Sequence, residues 1–412
     1  MKVLWFSPTP SLYGKNTVHH NGGGWVASLE QILRDTPGVE LGVAFEHYKK
    51  CFKAIESGVS YYPISENNQA FKKILRKVGV GNECTAILDQ AKKIIGDFDP
   101  DIIHVFGSES CFGQLSRLTE VPVLIHMQGS LPAYANARFP PGYNKFDYIR
   151  ACRGNPFLLY RLLSNDRTFL RRAHREVGIL RNCRHFMGRT EWDRVITSIY
   201  NPTATYDYCA EALRAEFVTK ASNWETKPTK EIRLVSTLSG PLYKGVDLVL
   251  KTAKILNEEL GREVHWKVFG VSSALLQEAK VGVRAEDLGI RFSGVVSSEV
   301  VREALLAADA YIHPSYIDNS PNSLCEAQAL GVPVVATDVG GVSTLIQRDV
   351  TGYLVPANDP FMMAWRIIHL KDDEKISRLF SQKSKSIARR RHAADQIRKD
   401  LIGIYEKYRQ RT

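Results

Sequence analysis

The 412-residue sequence contains no apolar run long enough to cross a membrane as a helix. Its longest apolar stretches, such as 3–6 and 121–125, fall far short of the roughly 20 residues that a spanning helix needs. The N-terminus, MKVLWFSP, enters a strand pattern at once and lacks the long apolar region of a secretory signal. From these features we expect no membrane-spanning helix and an intracellular, cytoplasmic protein.

Paired cysteines and internal repeats are also missing. The seven cysteines are scattered, odd in number and form no CxxC motif. This pattern is typical of free, packed thiols in a reducing compartment rather than of a disulfide framework. The absence of a short-period repeat and of low-complexity segments argues against a solenoid. The composition, with 44% hydrophobic and 24% charged residues, is that of a globular protein, and the length predicts two domains.

Positive charge is in excess. The formal net charge is +11, and eleven arginines lie between Arg150 and Arg194. One interpretation is a solvated helix face. The other is a basic surface, bearing Leu and Phe, that contacts anionic lipid headgroups. No stacking aromatics are regularly interleaved with these arginines, which argues against a nucleic-acid partner.

Both halves of the chain alternate strand and helix patterns, which predicts parallel sheets covered by helices. We therefore expect an α/β fold of two Rossmann-like, doubly wound domains that face each other across a cleft. The predicted domains are an N-terminal domain over 1–203 and a C-terminal domain over 231–385. A polar, Pro228-containing connector is predicted over 204–230, and a basic helix over 386–412.

The stretch from Tyr311 to Gly341 carries two acids after a predicted strand. Its sequence is YIHPSYIDNSPNSLCEAQALGVPVVATDVGG, with Asp318 in a polar loop and Glu326 in a short helix. Open α/β sheets bind ligands at the carboxyl edge of their strands. Two carboxylates without a His or Cys cluster suit hydroxyl groups better than a transition metal. A nucleotide sugar is the natural candidate for the ligand.

Each acid also has a structural alternative. Ser323-x-x-Glu326 matches a capping box, in which the glutamate accepts from the N-cap amide. Asp318 could instead form an Asx-type turn with the following polar residues. A third interpretation has the two acids hold Mg²⁺. Against the magnesium interpretation, Lys244 can already supply positive charge.

Lys244 and Gly245 lie between a predicted strand ending near Thr237 and the next helix. A lysine here can neutralise a diphosphate while helix-start amides hold its oxygens. The alternative is a solvated lysine in a first helical turn.

The first half has its own candidates. A glycine triplet that includes Gly23 and Gly24 precedes a helix and would let the backbone approach an anion. It is not a dinucleotide fingerprint, because a loop separates it from the strand, although Glu46 ends the next strand. The alternative is a flexible surface loop.

Three further side chains follow strands of the first half. His126 ends a strand, where it could donate to a sugar hydroxyl or help move a proton, or could be a satisfied core histidine. Arg189 could add a second cation to the phosphate site. Glu191 could orient that cation or accept the acceptor's proton, and the alternative for both is a surface salt bridge.

Taken together, these stretches resemble a retaining glycosyltransferase of the GT-B fold, of glycosyltransferase family 4. The branch that builds bacterial surface polysaccharides is the most similar. The resemblance implies that Glu326 binds the ribose hydroxyls, that Asp318 holds the transferred sugar and that Lys244 holds the diphosphate. The same comparison gives Arg189, Gly23 and Gly24 to the diphosphate and His126 to the sugar. Further donor contacts are implied for Asn319, Ser320, Asn322, Ser323 and Leu324. The resemblance also implies that the N-terminal domain binds the acceptor, that the C-terminal domain binds the donor and that the final helix returns to the N-terminal domain.

The family's activity is independent of metal and of cofactors and retains the anomeric configuration. The sequence departs from the family in two places. The first acid is usually a glutamate and is Asp318 here, and no arginine precedes Lys244 in STLSGPLYKG.

The sequence thus predicts transfer of a hexose-type sugar from a nucleoside-diphosphate sugar to a glycan or lipid-linked acceptor. The expected setting is capsule, O-antigen or exopolysaccharide synthesis on the inner face of the plasma membrane. A sugar-nucleotide epimerase of the same fold, a basic membrane- or nucleic-acid-binding module, and, more distantly, a nicotinamide dehydrogenase are the alternatives.

Overall fold

The computed structural model describes residues 1–14, 24–47, 52–65, 84–152, 154–219, 223–226 and 228–409. The chain divides into two compact units. The first unit comprises Met1–Pro132, Leu163–Ala212 and Ala393–Thr412. The second comprises Ala133–Leu162 and Leu213–His392.

The first unit is built on a sheet with eight strands in its described residues. These are β1 (Lys2–Ser7), β2 (Glu40–His47), β3 (Ala54–Glu56), β4 (Val59–Ser65), β5 (Ile102–Phe106), β6 (Val123–His126), β7 (His185–Gly188) and β8 (Thr205–Tyr208). The order is β3-β4-β2-β1-β5-β6-β7-β8, with only β3 and β4 antiparallel. The apolar run from Val3 to Phe6 is fully buried, as expected for a parallel sheet covered on both faces.

Helices cover this sheet. Those with residues in the first unit are Gly24–Arg34, Thr85–Phe98, Cys111–Arg117 (3₁₀), Leu131–Ala137, Pro156–Asn182, Glu191–Tyr200 and Ala394–Arg409. The chain-terminal helix belongs to the core of this unit. The Tyr405 hydroxyl accepts from Trp5 Nε1 at 3.1 Å and lies 2.6 Å from His104 Nδ1. The helical spacing of Ile397, Leu401 and Tyr405 is explained by their complete burial.

The second unit has a fully parallel sheet, with six strands among its described residues. They are β9 (Ile232–Thr237), β10 (Val264–Phe269), β11 (Ile290–Phe292), β12 (Ala310–His313), β13 (Val334–Thr337) and β14 (Tyr353–Val355). The order is β11-β10-β9-β12-β13-β14, the doubly wound pattern of a Rossmann sheet. Its main helices are Lys145–Ala151, Val246–Lys254, Leu275–Val281, Ser298–Ala307, Asn322–Leu330, Val342–Leu345, Pro360–Asp372 and Glu374–Arg391.

Strand order reverses at one place in each sheet, between β1 and β5 and between β9 and β12. At such a point the loops leave in opposite directions, and a crevice opens at the carboxyl ends of the strands. The loops after β9 and β12 carry Lys244 and Asp318.

The domain boundaries differ from the predicted ones in two places. The stretch 204–230, predicted as a connector, holds the edge strand β8 and the short helix Ala215–Val218, whose Phe217 is fully buried. Both elements are only four residues long, too short to produce a recognisable period, so Pro228 and the polar residues dominated the prediction.

The second difference concerns 133–162, which groups with the second unit although it lies inside the predicted domain 1–203. Its side chains explain the grouping. The ring of Tyr134 stacks on Tyr243 with 5.4 Å between centroids, and the buried Asp147 accepts from Lys280 at 3.1 Å. Long-range pairs of this kind leave no local trace in the sequence.

No helix in the described ranges is both long and apolar enough to cross a membrane. The described cysteines are buried thiols, as predicted. Cys51 lies outside the described residues.

Candidate functional site

Asp318 is the centre of the polar loop after β12. Its Oδ2 accepts from Lys244 Nζ at 2.7 Å and lies 3.1 Å from His313 Nε2. Ser315 Oγ donates to the same oxygen at 3.3 Å, and the Asn319 amide donates to Oδ1 at 3.0 Å. The acid and the lysine predicted to share a ligand therefore form one ion pair at the point where strand order reverses.

The electrostatics of this pair follow from its burial. Burial by itself raises the pKa of the Asp318 carboxyl, but the charge of Lys244 and the neighbouring His313 ring outweigh it. The pKa is therefore held well below its usual range. Asp318 stays ionised at neutral pH, so it is an acceptor for hydroxyl groups rather than a proton donor.

Two glycines fix the loops that carry the pair. Gly245 has φ +80°, and a Cβ there would overlap the carbonyl oxygen of Pro314. Gly340 has φ +53°, and a Cβ there would overlap the carbonyl oxygen of Asp318, which accepts from the Gly341 amide at 3.0 Å. A side chain at Gly245 would push the Lys244 loop away from the loop after β12, and one at Gly340 would push the loop after β13 away from Asp318. Close packing at these glycines therefore holds the backbone on both sides of the pair in place.

Glu326 lies in the helix Asn322–Leu330 and is 3% exposed. Arg214 Nε and Nη2 donate to its two carboxylate oxygens, each at 2.8 Å. The capping-box alternative is wrong, because the N-cap residue is Pro321 and Ser323 lies inside the helix. The Ser323 hydroxyl instead lies 2.7 Å from the Tyr311 hydroxyl.

Arg214 was missed by sequence reasoning. It lies in the stretch EALRAEF, 112 residues before its partner, within the predicted connector. No spacing rule links positions so far apart. The one available signal is the buried acid itself, since an acid on a helix of otherwise buried residues requires a cation.

The remaining predicted donor residues surround these two acids. Asn319 and Ser320 are buried in the loop, and Asn322 begins the helix. The Leu324 side chain is packed in the apolar core, so only its backbone could face a ligand. The arrangement places a helix start beside the acid–lysine pair, a combination that suits an anion joined to a polyol.

The magnesium alternative is disfavoured by the same contacts. Asp318 is paired with Lys244 and Glu326 with Arg214. Two acids that each have their own cation do not form an open, shared oxygen site. A separate group of possible ligands, Glu231, Glu263 and His265, lies beside the amino ends of β9 and β10, where Glu263 and His265 are exposed and Glu231 is half-buried.

In the first unit, His126 and Arg189 both contact Trp25. The His126 ring meets the indole edge-on at 5.1 Å, and the Arg189 guanidinium lies 5.0 Å from the Trp25 ring centroid. Burial, then His104 and Arg189, lower the pKa of His126 well below its usual value. His126 is therefore a neutral imidazole at neutral pH, able to form hydrogen bonds but without positive charge.

The other first-unit candidates are placed as follows. Gly24 is the first residue of the helix Gly24–Arg34, whereas Gly23 lies outside the described residues. Glu191 is exposed in the first turn of Glu191–Tyr200, where it accepts from Arg194 Nε at 2.8 Å. This is the surface ion pair of the structural alternative, and the acceptor role of Glu191 stays a prediction.

Replacing Arg214 by methionine is expected to destabilise the protein by about 2–3 kcal/mol, because it leaves the Glu326 carboxylate buried without its cation. The loss lies at the low end for buried pairs because the Arg214 side chain is 32% exposed. Urea unfolding measures it. Arg233→Met is the matched control, since the Arg233–Glu231 pair is more open, at 39% exposure for each partner. Equal losses of unfolding free energy in the two variants would contradict the conclusion that Arg214 neutralises a buried Glu326.

The part of the chain that carries the Lys244–Asp318 pair matches a known protein family. Residues 219–387 match the family described as "Glycosyl transferases group 1". They therefore form a glycosyltransferase group 1 domain, which contains Lys244, Asp318 and Glu326.

Curated relatives match over part of their length. The chain is 32% identical over 171 residues to D-inositol 3-phosphate glycosyltransferase of Xylanimonas cellulosilytica, covering 40% of this chain and 39% of that protein. It is 27% identical over 150 residues to the amylovoran biosynthesis glycosyltransferase AmsK of Erwinia amylovora, covering 35% and 37%. The matches thus span well under half of these relatives.

Solved structures match over nearly the whole chain. Sucrose-phosphate synthase from Thermosynechococcus elongatus has a TM-score of 0.72 at 15% identity and covers 98% of both chains. HepE from Anabaena, solved in complex with UDP-glucose, has a TM-score of 0.63 at 14% identity, covering 99% of this chain and 100% of that one. Identity this low supports a shared fold alone, and that fold is GT-B, with two Rossmann-like domains.

Proposed function

We propose that this protein is a retaining glycosyltransferase of family 4. It moves a hexose-type sugar from a nucleoside-diphosphate sugar to a glycan or lipid-linked acceptor in surface-polysaccharide synthesis. The observation that carries the proposal is the Lys244–Asp318 ion pair, 2.7 Å long, at the strand-order reversal of the group 1 domain. The relative AmsK, named for amylovoran biosynthesis, supports the polysaccharide setting.

In this proposal the donor sugar lies against Asp318, whose ionised carboxylate accepts from sugar hydroxyls. Asp318 is one methylene shorter than the usual glutamate, and the hydrogen bonds that Lys244 and Ser315 donate hold it in position. Glu326 accepts from the ribose hydroxyls, and Arg214 orients its carboxylate through two parallel hydrogen bonds.

The leaving diphosphate must be stabilised by positive charge. The net charge of the two ion pairs in the site shows how much of it they can supply. The Lys244–Asp318 pair and the Arg214–Glu326 pair each have a net charge of zero. A diphosphate therefore requires more than these two pairs. The amides at the start of Asn322–Leu330 provide part of it, and Arg189 is the predicted second cation in the absence of an arginine before Lys244.

The donor is identified by thermal-shift measurements with UDP, GDP, ADP, CMP and their sugars. We expect one nucleotide series to stabilise the protein selectively, by about 2.7 kcal/mol at a concentration one hundred times its Kd. A protein that none of these compounds stabilises would contradict the proposal. Turnover of the donor without any acceptor would favour the epimerase, and binding of anionic partners without donor binding would favour the basic binding module.

We further propose peripheral contact with an anionic membrane. Four exposed apolar side chains, which we call the apolar patch, lie on the helix Lys145–Ala151 and at the start of the helix Pro156–Asn182. They are Phe146, Ile149, Phe157 and Tyr160. Phe146 is 71% and Phe157 76% exposed. Exposed arginines at 150 and 161 adjoin the patch in sequence and complement anionic headgroups.

Cosedimentation with phosphatidylglycerol-containing vesicles tests the membrane contact. Replacing both Phe146 and Phe157 by serine is expected to weaken binding about tenfold or more, because two aromatic rings no longer insert. Phe361→Ser, at a position that is 70% exposed on another helix, is the matched control. Binding that the double variant retains in full would rule out this patch.

A further inference from the structure

A line of buried polar side chains crosses the core of the first unit. Trp5, His104 and His126 lie on the neighbouring strands β1, β5 and β6, and the last helix, Ala394–Arg409, adds Tyr405. Trp5 pairs with His104 in the sheet, and His126 pairs with the residue two places after His104. Because side chains two places apart on a strand share a face, these three lie on the face that the last helix covers. All four side chains are at most 1% exposed.

Three hydrogen-bond contacts join these side chains, which we call the Trp5–His126 network. Trp5 Nε1 lies 3.1 Å from the Tyr405 hydroxyl oxygen, and that oxygen lies 2.6 Å from His104 Nδ1. His104 Nε2 lies 3.3 Å from His126 Nδ1. Within the described residues, the remaining ring nitrogen, His126 Nε2, is buried and has no hydrogen-bond partner. The network therefore begins at the indole N–H and ends at a ring nitrogen beside the carboxyl end of β6.

Both histidines of the network are neutral at neutral pH. Burial lowers the pKa of His104 to about 3. Burial, and then His104 and Arg189, lower the pKa of His126 well below its usual value. A neutral imidazole carries one proton, so one ring nitrogen donates and the other accepts. Only two arrangements of the protons then keep a hydrogen bond between the two rings, and these run in opposite directions along the network.

The indole of Trp5 decides between the two directions. Its N–H can only donate, so Tyr405 accepts through its oxygen and its own proton needs an acceptor. In the first direction this proton goes to His104 Nδ1, His104 Nε2–H donates to His126 Nδ1, and His126 carries its proton on Nε2.

The second direction leaves a buried donor without an acceptor. Tyr405 would accept from both Trp5 and His104, and its hydroxyl proton would have no acceptor in the part of the chain that the structure describes. Such a donor loses its bond to water and gains nothing in return. The contacts therefore support the first direction, in which His126 has its proton on Nε2.

We propose that His104 and Tyr405 are positioning residues for sugar transfer, which hold His126 in the tautomer that carries its proton on Nε2. This inference rests on the proposed transferase function and selects the donor role of His126 over the movement of a proton. With Nδ1 accepting from His104 and Nε2 protonated, His126 has no lone pair with which to act as a base. It donates Nε2–H to an oxygen of the bound sugar. The last helix thereby acts on the ligand-binding edge of the sheet through its Tyr405 hydroxyl.

NMR of the full chain with ¹⁵N-labelled histidine rings tests the proposal, because the shifts of the two ring nitrogens report which one carries the proton. Signals of His126 are assigned by their loss in His126→Asn. We expect wild-type His126 to carry its proton on Nε2. Tyr405→Phe keeps the ring and removes the hydroxyl, so the ratio of the Nδ1–H to the Nε2–H tautomer of His126 is expected to rise about tenfold.

Sugar transfer is measured in the same variants, with the donor that thermal shift identifies. Tyr405→Phe is expected to lower kcat about twofold or more, because fewer molecules have His126 in the donating tautomer. His104→Phe removes the neighbouring donor itself and is expected to lower kcat about tenfold. It also makes the tautomer test if Tyr405→Phe does not fold, and melting temperatures establish which variants are folded.

Tyr408→Phe is the matched control. Tyr408 lies on the same helix, is 1% exposed and has its hydroxyl 2.6 Å from Thr205 Oγ1, away from the network. Its loss removes a buried hydroxyl of the same kind, so stability is expected to fall about as much as in Tyr405→Phe. The tautomer of His126 and the rate of transfer are expected to stay at their wild-type values.

The outcomes separate this proposal from the proposed function. Wild-type His126 with its proton on Nδ1, or with two protons, would overturn the proposal. Wild-type transfer in both Tyr405→Phe and His104→Phe would overturn it as well, and so would slower transfer with an unchanged His126 tautomer, which is the result of a purely structural role. The tautomer is read without substrate. A protein that shows the expected tautomer and transfers no sugar would contradict the transferase and leave the proton assignment in place.

Discussion

Lys244→Ala is expected to lower sugar transfer by about a hundredfold or more and to destabilise the protein by about 3 kcal/mol. The loss of transfer follows because Lys244 supplies a cation at the leaving diphosphate, and removing one such stabilising group typically costs this much in rate. The loss of stability follows because the Asp318 carboxylate stays buried without its 2.7 Å partner. Transfer is measured with the donor that thermal shift identifies, and stability by urea unfolding.

A matched control separates the two effects. Lys371 forms a 3.0 Å pair with the buried Asp309, next to the amino end of β12 and at the opposite edge of the same sheet. Lys371→Ala is expected to lose similar stability and to bind nucleotide normally. A double variant, Lys244→Met with Asp318→Asn, is expected to recover stability and not transfer, because no charge is left buried. Transfer at the wild-type rate in Lys244→Ala would exclude the assigned role.

Gly245→Ala is expected to be the second most damaging change. Alanine at φ +80° is strained, and its Cβ would overlap the Pro314 carbonyl oxygen, which is backbone and can move only with its loop. We expect a loss of about 3 kcal/mol or more, together with weaker nucleotide binding, because the displaced loop leads to Asp318. Chemical unfolding and thermal shift with the donor measure the two effects.

Gly282→Ala isolates the contribution of the overlap. Gly282 has a similar φ of +75°, but a Cβ there would have no atom within 4 Å. It should therefore cost only the roughly 1 kcal/mol of the left-handed conformation and leave nucleotide binding unchanged. If the two glycine variants behaved alike, close packing against Pro314 would not be what positions Lys244.

The second unit was largely predictable because its signals are local. The strand Ile232–Thr237 and the helix Asn322–Leu330 agree with the sequence pattern residue for residue. Asp318 and Lys244 were identified from their places after strands, and a parallel sheet brings such places together. What the pattern lacked was Arg214, whose partner is 112 residues away.

The first unit was less predictable for related reasons. The strand Val59–Ser65 contains a proline, and Ala54–Glu56 is only three residues long, so neither has a clear alternation. The buried polar side chains at the ends of β5 and β6 and in the loops that follow them were represented in the prediction by His126 alone. Glu109 and Ser130 look like ordinary loop residues, and only their burial without partners distinguishes them.

The position of the last helix has a consequence for biosynthesis. Every residue of the second unit precedes the helix Ala394–Arg409 in the chain, whereas Trp5 finds its hydrogen-bond partner, Tyr405, 400 residues later. Proteins usually fold from the N-terminal domain onward as they emerge. Here the first unit cannot complete its core until this helix has been made, so the apolar surface that Leu401 and Tyr405 cover stays accessible to chaperones until then.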